Sequence, residues 1–477
     1  MTKAKRKSLS GVVVKTMGLF TGVQGVEILC SIVRTKLVAL WVGAVGVGLF
    51  GLFNNAIELI NSLAQLSLRS SSVPSIAKAK PESALRRIAY VVRRWSSLLG
   101  IVGATLTLIC APILSNLTFG DSQHTLGFIF LSVVIFLSAI TSGELAILQG
   151  TKMLSRMARA SVWGAIAGLA VSAPLFYFLR IDSIVPALIA YSLTTATAVY
   201  CMRNRMPKPE PLPSMRDTFN EGREFVRLGI FMTASAFITL AFSYAFMAWL
   251  NRSADTAAVG FYQSGYTIVN RYLGLVFTAI AYEYYPRLSS VARSAWRTSA
   301  FVGHEMTIAL IVILPVATLF MAFDDVVIRL LYDVNFIVAA PYVSWGLAGT
   351  AFRAVSWCMA FVILAKGDGK VYLLTETISA AISLAFNIYF YSNYGLEGLG
   401  IAYIIWYAAY TVIVGAVYFG RYRLRINARV WLLFGCVAVT AIACAYIRSL
   451  DMRVPVIIVG LITAALGVLA LRRLIRK

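Results

Sequence analysis

The chain repeats one kind of segment. A run of about 20 mostly apolar residues closes on a short polar stretch, again and again, between residues 11 and 471. The runs are 11–33, 47–68, 88–113, 125–147, 161–179, 184–202, 228–250, 259–283, 305–323, 338–365, 371–392, 398–420, 430–447 and 454–471. Of the 477 residues, 59% are hydrophobic and only 13% charged, more apolar surface than a water-soluble fold can hide. In a bilayer each run satisfies its own backbone as a helix. The expected fold class is therefore an all-α integral membrane protein with about fourteen transmembrane helices.

The formal net charge of +23 would suit a nucleic-acid binder, but the positions of the charges explain it better. Most of the 43 Lys and Arg fall in every second connection. These are Lys3 to Lys7, the stretch from Arg69 to Arg94, Lys152 to Arg159, Arg203 to Arg227, Arg287 to Arg297, Lys366 with Lys370, Arg421 to Arg429, and the final residues. Loops rich in Lys and Arg stay on the cytoplasmic side, so both termini are expected there and no nucleic acid is expected as a partner. The start MTKAKRKSLS is basic, but no small-residue cleavage site follows a short apolar core, so no cleaved signal is expected. Six cysteines without CxxC spacing and two histidines leave little for disulfide, zinc or other metal chemistry.

The two halves resemble each other. MGLF at 17–20 pairs with LGIF at 228–231, GVGLF at 46–50 with AVGFY at 258–262, and Pro74 with Pro286, at nearly one offset. SNLTFGD at 115–121 has its counterpart in RLLYDVNF at 329–336. This predicts two pseudo-symmetric six-helix bundles of the same orientation. The expected domains are residues 1–202, a basic, proline-rich cytoplasmic linker at 203–225, a second lobe at 226–425, and two extra transmembrane helices at 426–477. The prolines at 74 and 286 are expected to close their helices. The stretch NYGLEGLGIAY at 393–403 reads as a hairpin turn, with Gly395 ending one helix and Gly398 and Gly400 allowing close packing of the next.

Polar residues inside apolar runs are costly and mark sites or interhelical contacts. Gln24, Glu27 and Arg34 share one broad side of the first helix, near Lys15. Asn54, Glu58, Gln65 and Arg69 form a stripe on the second. Asn270 and Arg271 lie on the eighth, Arg353 in the middle of the tenth, and Glu376, Ser379, Ser383 and Asn387 on one face of the eleventh. The candidate substrate and cavity residues are Lys15, Gln24, Glu27, Arg34, Asn54, Glu58, Gln65, Asn270, Arg271 and Arg353. They would line a hydrated cavity between the halves. Interhelical hydrogen bonds and snorkelling ends account for the same residue types, most readily for Arg34 and Arg69. Arginine in such a place suits a phosphate-bearing anion.

No GxxxxGK[ST], HExxH or GxSxG motif occurs, so neither nucleotide, metalloprotease nor hydrolase chemistry has a foothold, and no catalytic residue is assigned. No cofactor is expected. Any transport would draw on an ion gradient, of protons or sodium, or on the cargo's own chemistry.

The run SLAFNIYFYSNYGLEGLGIAYIIWY at 383–407 resembles the N…YG(L/I)xGxxxA signature of Wzx-type polysaccharide flippases. RTKLVALWVGAVGVGLFGLFNNAIELINSLAQLSL at 34–68, VPSIAK at 73–78, ELAILQGTKMLSRMARASVWGAIAGLAVSAPLFYF at 144–178 and IVPALI at 184–189 resemble the same group. The similarity spans residues 10–420 and points to the O-antigen and lipid-linked oligosaccharide branch of the MATE-like MOP superfamily. The resemblance implies a MATE-like fold in the bacterial inner membrane. It also implies a flippase that carries undecaprenyl-diphosphate-linked oligosaccharide from the cytoplasmic to the periplasmic leaflet by alternating access. Arg271, with Lys15 or Arg34, would face the diphosphate, and a polysaccharide polymerase would be a neighbour. The two added C-terminal helices depart from the twelve-helix pattern of the branch and match lipid II flippases.

Two transporter alternatives stand beside this reading, a lipid II flippase and a MATE-like ion-coupled exporter of organic cations. Arg271 and Arg353 weigh against the cation exporter. A membrane-bound glycan polymerase or ligase is disfavoured because the expected outer loops are short.

Overall fold

The computed structural model describes the backbone of residues 3–475. Its described side chains exclude those of residues 3–21, Glu224, Leu228, Phe231, Met232, Ser235, Tyr282, Leu471 and 473–475. Among the described residues nine helical stretches are long and apolar enough to cross a membrane. Two of these, Leu154–Met202 and Gly369–Arg421, each hold a pair of helices.

The contacts divide the chain into two compact units, Met1–Ala257 and Ala258–Lys477. The first contains α1 (Lys3–Trp41), α2 (Gly43–Gln65), α3 (Leu68–Lys78), α4 (Glu82–Phe119), α5 (Thr125–Gly150), α6 (Leu154–Leu179), α7 (Ile184–Met202) and α8 (Met215–Ser253). The division falls inside α9 (Thr256–Tyr266), one helix beyond the joint read from the proline-rich linker. The reason is visible in α4. Arg94 donates to the Pro213 carbonyl (2.7 Å), Trp95 Nε1 to the Thr218 carbonyl (2.9 Å), and Arg87 pairs with Glu221 (2.6 Å). These bonds stitch the linker and the start of α8 onto the first unit. The second basic "loop" is largely helix: Arg86, Arg87, Arg93 and Arg94 all lie on α4.

The second expected span does not run through residue 68. Leu66 and Ser67 have φ of 46° and 48°, a left-handed conformation that costs L-residues roughly 1–2 kcal/mol each. The kink is pinned by α8. A Cβ on Gly229 would lie 2.0 Å from the Leu66 carbonyl oxygen, and Ser67 Oγ lies 3.1 Å from Thr233 Oγ1. Glycine is required at 229 because backbone meets backbone there. Pro74 and the chain's other paired proline, Pro286, sit inside α3 and α10 (Gly274–Val291) rather than closing helices.

The second unit contains α10, α11 (Ala295–Ala322), α12 (Asp324–Leu331), α13 (Ala340–Ala365), α14 (Gly369–Gly415), α15 (Ala428–Ser449) and α16 (Arg453–Ile475). The expected span at 259–283 is split by a π-turn, Thr267–Tyr272. α13 is the centre of this unit. It packs against α10, α11, α14 and α15, and Leu347, Ala348, Ala354, Val355, Cys358, Met359 and Val362 are completely buried. Small residues permit this, since a Cβ on Gly349 would meet the Tyr403 ring at 2.6 Å. α14 reverses at Gly395 (φ 61°, ψ −142°), the turn expected from NYGLEGLGIAY. Its second half then lies against α13, where a Cβ on Gly400 would sit 2.8 Å from the Tyr342 carbonyl oxygen. Glu397 accepts a hydrogen bond from Trp345 Nε1 (2.9 Å).

Candidate functional site

Arg353 stands halfway along α13, the most enclosed helix of its unit. A guanidinium in such a place must be satisfied by its neighbours. Its Nη1 donates to Asn270 Oδ1 and to the Tyr403 hydroxyl, both at 3.2 Å, and Tyr403 donates to the same Asn270 oxygen at 3.1 Å. Its Cζ lies 4.8 Å from the centre of the Phe277 ring and 5.9 Å from that of Tyr407. All these partners are uncharged, and among the described residues Arg353 forms no ion pair. The Asn270 Nδ2 is buried without a hydrogen-bond partner.

Asn270 and Arg271 lie within the π-turn and point apart, as consecutive helical residues do: Asn270 reaches Arg353 and Arg271 is exposed. An aromatic wall, not among the residues expected at the site, completes it. Tyr403, Tyr407 and Tyr410 follow i, i+4, i+7 spacing on α14, a pattern legible in AYIIWYAAY. Across the hairpin, Tyr410 donates to Glu376, and Trp406 Nε1 donates to Ser379 Oγ at 2.9 Å. The polar stripe expected on the eleventh span therefore faces the aromatic stripe of the twelfth.

The first-unit candidates are placed differently. Arg34 lies between rings of two other helices, 5.1 Å from the centre of Phe50 on α2 and 4.4 Å from that of Tyr191 on α7. Its guanidinium thus stacks on rings of both neighbouring helices. Gln24, Glu27 and Glu58 are exposed, and Asn54 donates back to the Phe50 carbonyl of its own helix (2.9 Å). The kink separates Arg69 from the α2 stripe. Burial lowers its pKa, while the Glu27 carboxylate acts in the opposite sense. Gln65 uses both ends of its amide, donating to Asn61 Oδ1 and accepting from Ser142 of α5 (2.7 Å). That is the interhelical hydrogen bonding weighed for such residues. The side chain of Lys15 lies outside the described residues.

A second buried cluster escaped the sequence reading. Arg448 of α15 donates through Nη2 (2.8 Å) and Nε (3.1 Å) to Asp324 Oδ1, whose other oxygen accepts from Ser344 (2.8 Å). Arg453 of α16 pairs with Asp325 at 2.9 Å. These residues border a cavity of about 410 Å³ and tie both C-terminal helices to α12 and α13. Among the described residues no group of three His, Cys, Asp or Glu is arranged to hold a metal ion.

The fold and site define a polytopic, all-helical membrane protein in which Arg353, half-buried at mid-helix, is hydrogen-bonded by neutral partners. Residues 76–341, more than half of the chain, match the family described as polysaccharide biosynthesis protein, and the chain belongs to it. It is 22% identical over 403 residues to the Lipid III flippases of Escherichia coli (strain K12) and Shigella flexneri, covering 81% of this chain and 93% of theirs. The fold is that of lipid II flippase MurJ in an inward closed conformation (TM-score 0.65, 13% identity, 96% of this chain and 100% of that one). It is shared with an inward-facing multidrug resistance MATE transporter of the MOP superfamily (TM-score 0.66, 16% identity, 86% and 95%).

Proposed function

We propose that this protein is a flippase for undecaprenyl-diphosphate-linked oligosaccharide, an O-antigen or related surface-polysaccharide repeat unit. It would move its cargo from the cytoplasmic to the periplasmic leaflet of the bacterial inner membrane by alternating access. Fourteen crossings with both termini cytoplasmic complete the reading. The observation that carries it is Arg353, a positive charge in the middle of α13 whose neighbours are neutral. A fixed cation without a counter-charge favours an anion such as a diphosphate and repels organic cations. Family membership and the names of the Lipid III flippases support the same cargo class. Glu376, held by Tyr410, is the carboxylate proposed to couple transport to a proton or sodium gradient.

The test is deletion of the gene in its host, followed by analysis of undecaprenyl-linked glycans and their leaflet. Accumulation of one such glycan on the cytoplasmic leaflet is expected. Normal glycan export accompanied by new sensitivity to cationic drugs would overturn the reading.

A further inference from the structure

The start of α6 and the end of α7 border an open cavity of about 560 Å³ lined by Met153, Arg156, Arg159, Cys201, Arg203 and Arg205, with Met202 and Asn204 completing the wall. Four guanidinium groups line it and no carboxylate does. Arg159 donates to the Ser155 carbonyl of its own helix (3.3 Å), and Arg203 stacks 3.8 Å from the centre of the Tyr200 ring. Among the described residues none of the four forms an ion pair. The nearby acid, Glu144, is buried and taken by Arg93 at 2.7 Å. Arg93 also donates to the Asn204 carbonyl (2.7 Å), which fixes the backbone that carries Arg203 and Arg205. The cluster is thus held open without a counter-charge.

What adjoins the cavity narrows the ligand. One and two turns beyond Arg159 on α6 come Trp163 (56% exposed) and Ile166 (41%), and α7 offers Tyr200 (55%) and Leu193 (46%). These positions repeat at helical spacing, so an exposed apolar stripe on each helix runs from the basic cavity into the membrane-spanning part. A soluble anion needs the arginines alone. A phospholipid uses both, with phosphate among the guanidinium groups and acyl chains along the stripes.

We propose that this cavity binds the headgroup of an anionic glycerophospholipid, on the face that the positive-inside pattern assigns to the cytoplasm. The proposal needs only that the chain spans a membrane, and it stands apart from the flippase reading. Cys201, exposed on the cavity wall, is the reporter. The wild-type protein is placed in nanodiscs of phosphatidylcholine, with or without phosphatidylglycerol, pulsed with N-ethylmaleimide, and the Cys201 peptide is quantified by mass spectrometry. Phosphatidylglycerol is expected to slow labelling about fivefold, the factor 1 + [L]/Kd for a lipid at a few times its dissociation constant. The Arg156→Gln/Arg203→Gln variant, which alters only partly exposed side chains, is expected to lose that protection. Equal rates in the two bilayers, or protection that persists in the variant, overturns the proposal. Equal protection by inorganic phosphate in phosphatidylcholine discs overturns the lipid as occupant.

Discussion

Arg353 Nη1 lies 3.2 Å from Asn270 Oδ1, and the hydroxyl of Tyr403 bridges the same two groups. A neutral amide oxygen and a neutral phenol satisfy the guanidinium without cancelling its charge. Carboxylate ligands would have closed the site electrostatically. The aromatic faces of Phe277 and Tyr407 add attraction for the cation.

Removing that charge tests the site directly. Hydrogen bonds to charged groups contribute about 1.5–3 kcal/mol, so Arg353→Gln should lower glycan export about 10–100-fold at normal protein level. Arg353→Lys keeps the charge but loses the planar fork, and should fall between. Export unchanged in Arg353→Gln would remove this residue from the transport path.

Two glycines should respond to alanine with opposite signs. At Gly229 the new methyl would meet the Leu66 carbonyl oxygen, and neither backbone can yield without unpinning the α2–α3 kink. Overpacking of this kind costs about 1–3 kcal/mol. Gly435, inside α15, has nothing within 4 Å of a Cβ, so Gly435→Ala should gain about 0.5–1 kcal/mol of helix propensity. Thermal unfolding in detergent distinguishes the two. A neutral Gly229→Ala would mean the kink is not held by α8.

The helices were legible because apolar runs of membrane-spanning length admit little else, and the Gly395 turn because glycine stands where φ is positive. Arg353 and Asn270 could be named as polar residues in apolar runs. Their meeting could not, because it depends on how two helices pack, which the periodicity of neither one announces. The kink at Leu66–Ser67 was hidden for a related reason. Neither residue favours a left-handed backbone, and the contacts that impose it come from Gly229 and Thr233, far along the chain. Nothing in the sequence singles out Asp324 or Arg448, since only packing makes them partners.

That pair makes its own prediction. Arg448 is 8% exposed and Asp324 2%, so Asp324→Ala leaves the buried guanidinium with only the solvent-exposed Asp451 (2.9 Å) as counter-charge and should cost up to about 3–5 kcal/mol. Replacing both, as Asp324→Leu with Arg448→Met, removes the stranded charge and should recover most of the loss. The coupling is read from a double-mutant cycle of unfolding midpoints. Additive losses would show that the two charges do not act as a pair.

The start of α8 should show an acid-sensitive cap. Asp217 accepts from the Ser214 backbone N–H (3.0 Å), and its own N–H is met by Ser214 Oγ (3.1 Å), a reciprocal capping box. The bonds from Ser214 lower the Asp217 pKa below its ordinary value, so the unfolded segment binds the proton more tightly than the folded one. The cap's contribution is therefore complete above the ordinary aspartate range, about pH 3.9, and is lost as pH falls through the lowered folded value. Hydrogen exchange of the peptide covering residues 214–223 should lose protection on acidification in the wild type. In Asp217→Asn that pH dependence should disappear, because the amide keeps its acceptor oxygen but has no proton to gain. An unchanged acid slope in Asp217→Asn would place the sensitivity elsewhere on α8.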